Sequence, residues 1–466
     1  MSFDRVKAKP GRLRCIALAA IMGAAMIGAI SGAPSANASL LVTNATIVTM
    51  KPGETKPVVG YMLVGDDGRI AALATGFPPA GMRATATLDA TNKIIVPGFI
   101  SAHSHVYQTA LRGLAIDQYT PGWLRVVRSY YAHMTDEDLY WYTLHGALDH
   151  VLHGITTAFS FGYNIRVGDY NNDELRALLD SGMRFVPGFA TTRAIPIEEQ
   201  YQAFVRFYAF AKPHLANPKF LRLGITGGRA TLADVKLDKR EMDEFGVLNQ
   251  AHLLEAPPEK EEEQRQFQNF IDAGALGPNL YFGHFIHTND EILKASAAAG
   301  SGMSWQPLSN GRLASGIADI PKYLAFGVKV GMGVDGQASA DVADPFENMR
   351  SGLYMLRGKS QDPTILQPID VLRLHTMGSA TVMGVANKIG SLEVGKFADF
   401  NVISPPTPVF DAVATVVFAA SIMNLDAVYI GGEKLVDHGT LTRADMGKVT
   451  AELAARVGRI RPLVEK

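Results

Sequence analysis

Residues 94–105 read Ile-Ile-Val-Pro-Gly-Phe-Ile-Ser-Ala-His-Ser-His: an apolar run, Ile94–Ile100, followed by two histidines one residue apart. On a strand, residues i and i+2 face the same side, so His103 and His105 present two imidazoles to one place. That is a two-nitrogen clamp for a borderline metal ion. Taken alone, the pair is better explained as two incidental histidines. Its position gives it meaning, because in an eightfold β/α barrel the residues at C-terminal strand ends carry the chemistry.

The chain downstream supports such a barrel. From about Pro97 to Ala386, short apolar runs (Ile155–Phe161, Arg184–Phe189, Leu221–Thr226, Val247–His252, Leu280–His284, Met303–Gln306 and Val328–Val334) alternate with stretches of helical period and length (Asp136–Leu152, Glu198–Ala211, Lys260–Ala273 and Asp344–Arg357). With Ile94–Ile100 as the first strand, the count is eight strand–helix units, which predicts an α/β fold of the (β/α)8 TIM-barrel class. The chain ends differ in character. Leu40–Met50, Val58–Val64, Phe397–Ser404 and Ala427–Val436 are β-branched and apolar runs set around Asp-Gly and Gly-Gly turns. The two ends are expected to join in a small composite β-sandwich. The expected organisation is an export signal over 1–38, sandwich over 39–96, barrel over 97–388, sandwich again over 389–445, and a C-terminal helix over 446–466.

Three further strand ends repeat the chemistry of the first. His252 ends Val247–Ala251 and is followed by Glu255; His284 ends Leu280–Gly283; Asp335 ends Val328–Val334. Four strand ends thus offer imidazoles and carboxylates to one barrel mouth. The remaining histidines are better read as structural. His145, His150 and His153 lie on or just after a helix, His133, His214, His375 and His438 follow no strand, and His287 suits a loop beside His284.

Composition narrows the function. The 466 residues carry 44 basic and 45 acidic side chains, so there is no basic footprint for nucleic acid or an anionic membrane surface, and a small molecule is the expected partner. The one cysteine, Cys15, excludes an internal disulfide and a thiolate zinc cluster; a metal must rest on His and carboxylates. Arg5, Lys7, Lys9, Arg12 and Arg14 precede the apolar run Cys15–Ile30, and Ala36-Asn37-Ala38 offers a cleavage site. This is the order of a secretory signal, and the run is shorter than a membrane span. The expectation is an exported protein, periplasmic or secreted, cut near Ala38 and not inserted in a membrane. Residues 1–38 hold five basic side chains and one acidic, so their removal takes the formal charge from −1 to −5.

Ordered motifs now carry a resemblance. Pro97 to His105, Leu111-Arg112-Gly113, Trp123-Leu124, Gly154-Ile155-Thr156-Thr157, His252 to Glu255, Gly283-His284, Pro307-Leu308-Ser309-Asn310, Gly333-Val334-Asp335 and Ile389 to Asp399 follow one another along the chain. Together they resemble the amidohydrolase superfamily, in the deaminase and chlorohydrolase branch that includes adenosylhomocysteine, guanine and triazine hydrolases. The likeness runs from about Leu40 to Gly439. It implies a distorted TIM barrel with a composite β-sandwich, and one divalent ion held by His103, His105, His252 and Asp335. Two-metal members bridge their ions with a carboxylated lysine ending the fourth strand, and Leu221–Gly228 contains no lysine. Zinc suits three His and one Asp with an open position, and Fe2+ or Mn2+ accept the same ligands.

The roles that follow are Asp335 as general base, Glu255 as proton shuttle to a departing nitrogen, and His284 as the group that polarises a carbonyl or holds an oxyanion. Tyr107, Gln108, Trp123 and Phe161 are candidates for the substrate pocket. So is Trp305, which stands where adenosine-type deaminases of this branch commonly carry His and therefore suggests a more aromatic substrate surface. The expected activity is hydrolysis of a non-peptide C–N bond, amide, urea or carbamate-like, in a small aromatic or heterocyclic molecule. Alternatives are deamination of an aminated purine, pterin or triazine-like heterocycle, and an exported binding protein that has lost catalysis. Oligomerisation is common in the family, and no feature of the sequence fixes a homo-oligomer.

Overall fold

The computed structural model describes residues 39–162, 168–228 and 231–465. The segment read as an export signal, with Cys15 and Ala38, lies outside the described residues. Eight parallel strands form the barrel: β1 (Phe99–Ser104), β2 (Ile155–Phe161), β3 (Arg184–Phe189), β4 (Gly224–Gly227), β5 (Leu248–Leu253), β6 (Leu280–His284), β7 (Gly302–Trp305) and β8 (Lys329–Met332), each beside its neighbours in sequence order. Helices cover the outer face, so both faces of nearly every strand are buried and the strands read as continuous apolar runs. Helices such as Asp136–Leu152, Ile197–Ala211 and Lys260–Asp272 fall where the apolar period places them. The first of these starts at a capping box, with Thr135 Oγ1 accepting from Asp138 N and Asp138 Oδ2 accepting from Thr135 N.

The barrel is sealed between β8 and β1 by two bonds: Asp335 N donates to the His103 carbonyl at 3.0 Å and Val334 N to Ser101 Oγ at 3.0 Å. Gly333 makes this approach feasible, since a Cβ there would stand 2.6 Å from the His103 carbonyl oxygen.

The N- and C-terminal strands meet in one mixed sheet outside the barrel, in the order Thr440–Leu441, Glu433–Asp437, Leu425–Ile430, Phe400–Ile403, Ile94–Pro97, Leu40–Ile47, Val58–Val64, Ile70–Thr75, with Ala86–Asp89 also on Leu40–Ile47. The run Ile94–Ile100, expected as a single barrel strand, is divided. Ile94–Pro97 pairs antiparallel with Phe400–Ile403 in the outer sheet, and β1 begins at Phe99. Gly98 is the crossing: its N–H donates to the Asp399 carbonyl, the next N–H to that of Gly154, and a Cβ at Gly98 would meet Thr156 Oγ1 at 2.2 Å.

A buried ion pair clamps barrel to sheet. Arg184, the first residue of β3, sends Nε and Nη2 to the two carboxylate oxygens of Asp399 at 2.6 and 2.9 Å, and Nη1 to the Pro218 carbonyl. Asp399 Oδ1 also accepts from Gly431 N, and the guanidinium lies 3.8 Å from the centre of the Phe397 ring. Among the described residues no helix is long and apolar enough to cross a membrane.

Candidate metal centre

The expected site residues converge at the C-terminal mouth of the barrel. His103 and His105 come from the end of β1, His252 from β5 and His284 from the last position of β6; Asp335 lies just past β8. His103 Nε2 stands 3.2 Å and His105 Nε2 3.6 Å from Asp335 Oδ1, and the Nε2 atoms of His105 and His252 are 3.2 Å apart. Four donors placed tetrahedrally at about 2.1 Å from one ion stand about 3.4 Å from each other, so these spacings fit one zinc-sized ion. His103 Nε2 is buried and has no hydrogen-bond partner, as a ligand atom aimed at an ion would be. The donor atoms fall into two overlapping groups, His103 with His252 and His284, and His103 with His105 and Asp335.

The backbone is bent to deliver these side chains. Asp335 (φ 59°), His284 (φ 65°) and Leu254 (φ 61°), which precedes Glu255, all lie in the left-handed region that non-glycine residues avoid. Burial and the neighbouring His103 push His105 down to about 3, and burial likewise takes His284 down to about 3, so both rings are neutral. Burial would raise the Asp335 carboxyl, but the imidazoles facing it, His103 first and then His284 and His105, outweigh burial and hold the group well below the usual carboxylate range. The result is two neutral imidazoles beside one carboxylate, the protonation state a divalent ion requires.

Glu255 sits beside this cluster: its Oε1 is 3.8 Å from His284 Nδ1 and accepts from Thr120 Oγ1 at 3.0 Å. Asn310 Nδ2 donates to His284 Nδ1 at 2.8 Å, and the His284 backbone N–H donates to Gln306 Oε1 at 2.9 Å. With Nδ1 occupied as an acceptor, His284 carries its proton on Nε2, which lies 3.9 Å from Asp335 Oδ2.

The pocket candidates divide. Phe161, last in β2, lies with its ring centre 4.2 Å from that of His252 and 4.9 Å from that of His105, and Tyr107 is 6.2 Å from His105. Gln108 is buried against Gly336, beside Asp335. Trp123 donates its indole N–H to the Ala338 carbonyl and packs in an apolar cluster with Tyr107, Leu111 and Tyr131. Trp305 does not face the site. On β7 the alternation points Ser304 and Gln306 inward, bonded to each other at 2.7 Å, and turns Trp305 outward onto Gly352 of the helix Pro345–Ser360.

The site also uses residues the sequence reading passed over. Gln250 stands two positions before His252 and shares its face of β5, a parity that could have found it. Gln306 follows the same rule on β7, whereas Thr120 arrives from a loop-borne helix, Thr120–Tyr131, that no local pattern places at the site.

Two of the histidines read as structural are hydrogen-bonded within the fold. His150 Nε2 contacts Ser104 Oγ at 3.0 Å with Nδ1 at the Gly146 carbonyl, and His375 Nδ1 meets the Ile100 carbonyl at 3.1 Å. Burial lowers both to about 4. Their neutral forms are built into the fold, while in the unfolded chain they take up protons near 6.5. Their contribution is therefore fully present above pH 6.5 and is lost progressively as pH falls towards 4. Urea midpoints of chelator-treated protein should drop between pH 6.5 and pH 5, and equal midpoints at both would contradict buried neutral histidines.

Comparison with known proteins places this geometry. The amidohydrolase family model matches residues 94–435. The 5-methylthioadenosine/S-adenosylhomocysteine deaminase of Desulforudis audaxviator is 30% identical over 410 residues, 84% of this chain and 92% of that protein. The 5'-deoxyadenosine deaminase of Methanobrevibacter smithii is 28% identical over 428 residues, 87% and 94% of the two chains. In fold, the chain matches an adenosine deaminase from Xanthomonas campestris with bound zinc at TM-score 0.80 and 21% identity, over 91% of this chain and 98% of that one. It matches atrazine chlorohydrolase from Arthrobacter aurescens complexed with zinc at TM-score 0.79 and 20% identity, over 90% and 100%.

Proposed function

Because this chain belongs to the amidohydrolase family, we propose that its barrel-mouth centre holds one divalent ion, zinc before iron or manganese, and hydrolyses a non-peptide C–N bond of a small heterocyclic or aromatic molecule. The observation that carries this reading is the convergence of His103, His105, His252 and Asp335 at ligand spacing, with Glu255 and His284 beside them. A bound ion supplies Lewis acidity, bringing the pKa of water at its open position towards about 7. Asp335 takes the proton of the attacking water. His284 directs its Nε2 proton at the oxygen or ring nitrogen that gains charge as the carbon becomes tetrahedral. Glu255, steadied by Thr120, delivers a proton to the departing nitrogen, and Phe161 and Tyr107 wall the approach.

The finer question is whether nitrogen leaves as ammonia or as an amine. One observation removes an objection to ammonia, released from an aminated heterocycle, and a second favours it. Trp305 points away from the site, so its departure from the deaminase pattern says nothing about the substrate surface. Relatives matched over more than four-fifths of the chain are named deaminases. The test is metal analysis of purified protein, then a panel of aminoheterocycles, amides, ureas and carbamates with ammonia measured directly. Release of an amine or acid in place of ammonia would return the reading to amide, urea or carbamate hydrolysis. Absence of turnover with the metal fully loaded would leave a binding protein. Glu255→Gln is expected to lower kcat by about 10²–10⁴-fold with metal content unchanged, as loss of a positioned acid does; retained turnover would remove Glu255 from the mechanism.

A further inference from the structure

Gln250 lies inside the barrel, fully buried, two residues before His252 on β5. Both of its polar atoms are engaged across the barrel with the first strand. Nε2 donates to the Ala102 carbonyl at 2.5 Å, and Oε1 stands 2.6 Å from His103 Nδ1. A carbonyl oxygen can only accept, so the bond to Ala102 fixes which end of the amide is nitrogen. The Tyr281 hydroxyl donates to the same carbonyl at 2.7 Å, which anchors that acceptor from β6 as well.

The orientation has a consequence at the imidazole. Gln250 Oε1 has no hydrogen to give, so the 2.6 Å contact exists only if His103 Nδ1 carries one. A neutral ring protonated on Nδ1 leaves a lone pair on Nε2. That is the atom found buried, without a hydrogen-bond partner, 3.2 Å from Asp335 Oδ1.

We propose that Gln250 is a positioning residue for the metal: it locks His103 in the Nδ1–H tautomer and the ring orientation that present Nε2 to a divalent ion, and thereby sets the affinity of the centre. Its hydrogen-bond acceptor does for His103 what outer-sphere carboxylates and carbonyls do for metal-bound histidines in general. The inference rests on the reading of the centre as a divalent-metal site and is independent of which C–N bond is cleaved.

The experiment uses the full chain and zinc alone as probe, with dissociation constants read by competition against a chromophoric chelator. Gln250→Leu removes both bonds at similar volume and is expected to weaken zinc binding roughly 10–100-fold, the usual cost of losing such a partner. Gln250→Glu keeps an acceptor opposite Nδ1 and is expected to stay within about threefold of the parent. A role confined to tying β1 to β5 would lower the urea midpoint of the metal-free protein and leave the zinc constant within tenfold; that result overturns the proposal. Should Gln250→Leu fail to fold, the tautomer is read directly. Imidazole ¹⁵N–¹H correlations of the metal-free parent should place the His103 proton on Nδ1, and a proton on Nε2 overturns it. A protein showing the tenfold difference but no turnover would sink the hydrolytic reading alone, whereas full turnover with an unaltered zinc constant in Gln250→Leu would sink this inference alone.

Discussion

Asp335→Asn is expected to lower kcat/KM by at least about 10⁴-fold in enzyme assayed at saturating zinc. Loss of a general base alone typically costs about 10²–10⁴-fold, and Asp335 is also the anionic donor facing His103 and His105. Asparagine is the informative replacement because the residue sits at φ 59°, a conformation that Asn tolerates and Ala holds only at a strain of roughly 1–2 kcal/mol. The seal bond from the Asp335 N–H to the His103 carbonyl is a backbone bond and survives the change. The urea midpoint of the metal-free variant should therefore stay near that of the parent while activity and zinc retention fall. A variant that keeps its metal and loses less than about tenfold would remove Asp335 from both roles.

The second large effect is on stability and lies at the other end of the barrel. Arg184→Met is expected to cost about 3–5 kcal/mol, measured by urea unfolding, because it strands Asp399 as a buried charge without its cation. The Gly431 N–H would remain against that carboxylate's charge, and the packing of the guanidinium on Phe397 would go too. Replacing both partners, Arg184→Met with Asp399→Leu, should recover part of the loss, since an apolar pair leaves no orphaned charge; the Gly431 N–H, left without its acceptor, limits the recovery. A loss below about 1 kcal/mol in the single variant would show that the clamp is solvated and contributes little.

Sequence made the barrel legible because its strands are buried on both faces and its helices have apolar stripes, two patterns that differ in length and period. It made the donors legible because His252, His284 and Asp335 each end an apolar run. What it hid are changes that leave hydropathy untouched. Ile94–Ile100 reads as one apolar run, yet its halves pair with different sheets, and the Pro97-Gly98 step within it marks the border. Trp305 was misplaced for the opposite reason: residue type suggested a substrate wall, while strand parity turns the ring outward. Thr120 reaches Glu255 from a helix whose docking depends on contacts distant in sequence, such as Trp123 with Ala338.

The seal between β8 and β1 joins His103 to Asp335, the first and last donors along the chain. Ring closure and completion of the centre are thus a single event. A partly assembled barrel that has gathered β1 to β7 owns its imidazoles but not the carboxylate, and an ion reaching it meets an incomplete coordination shell. Metal uptake by refolding protein should therefore track the docking of the last strand.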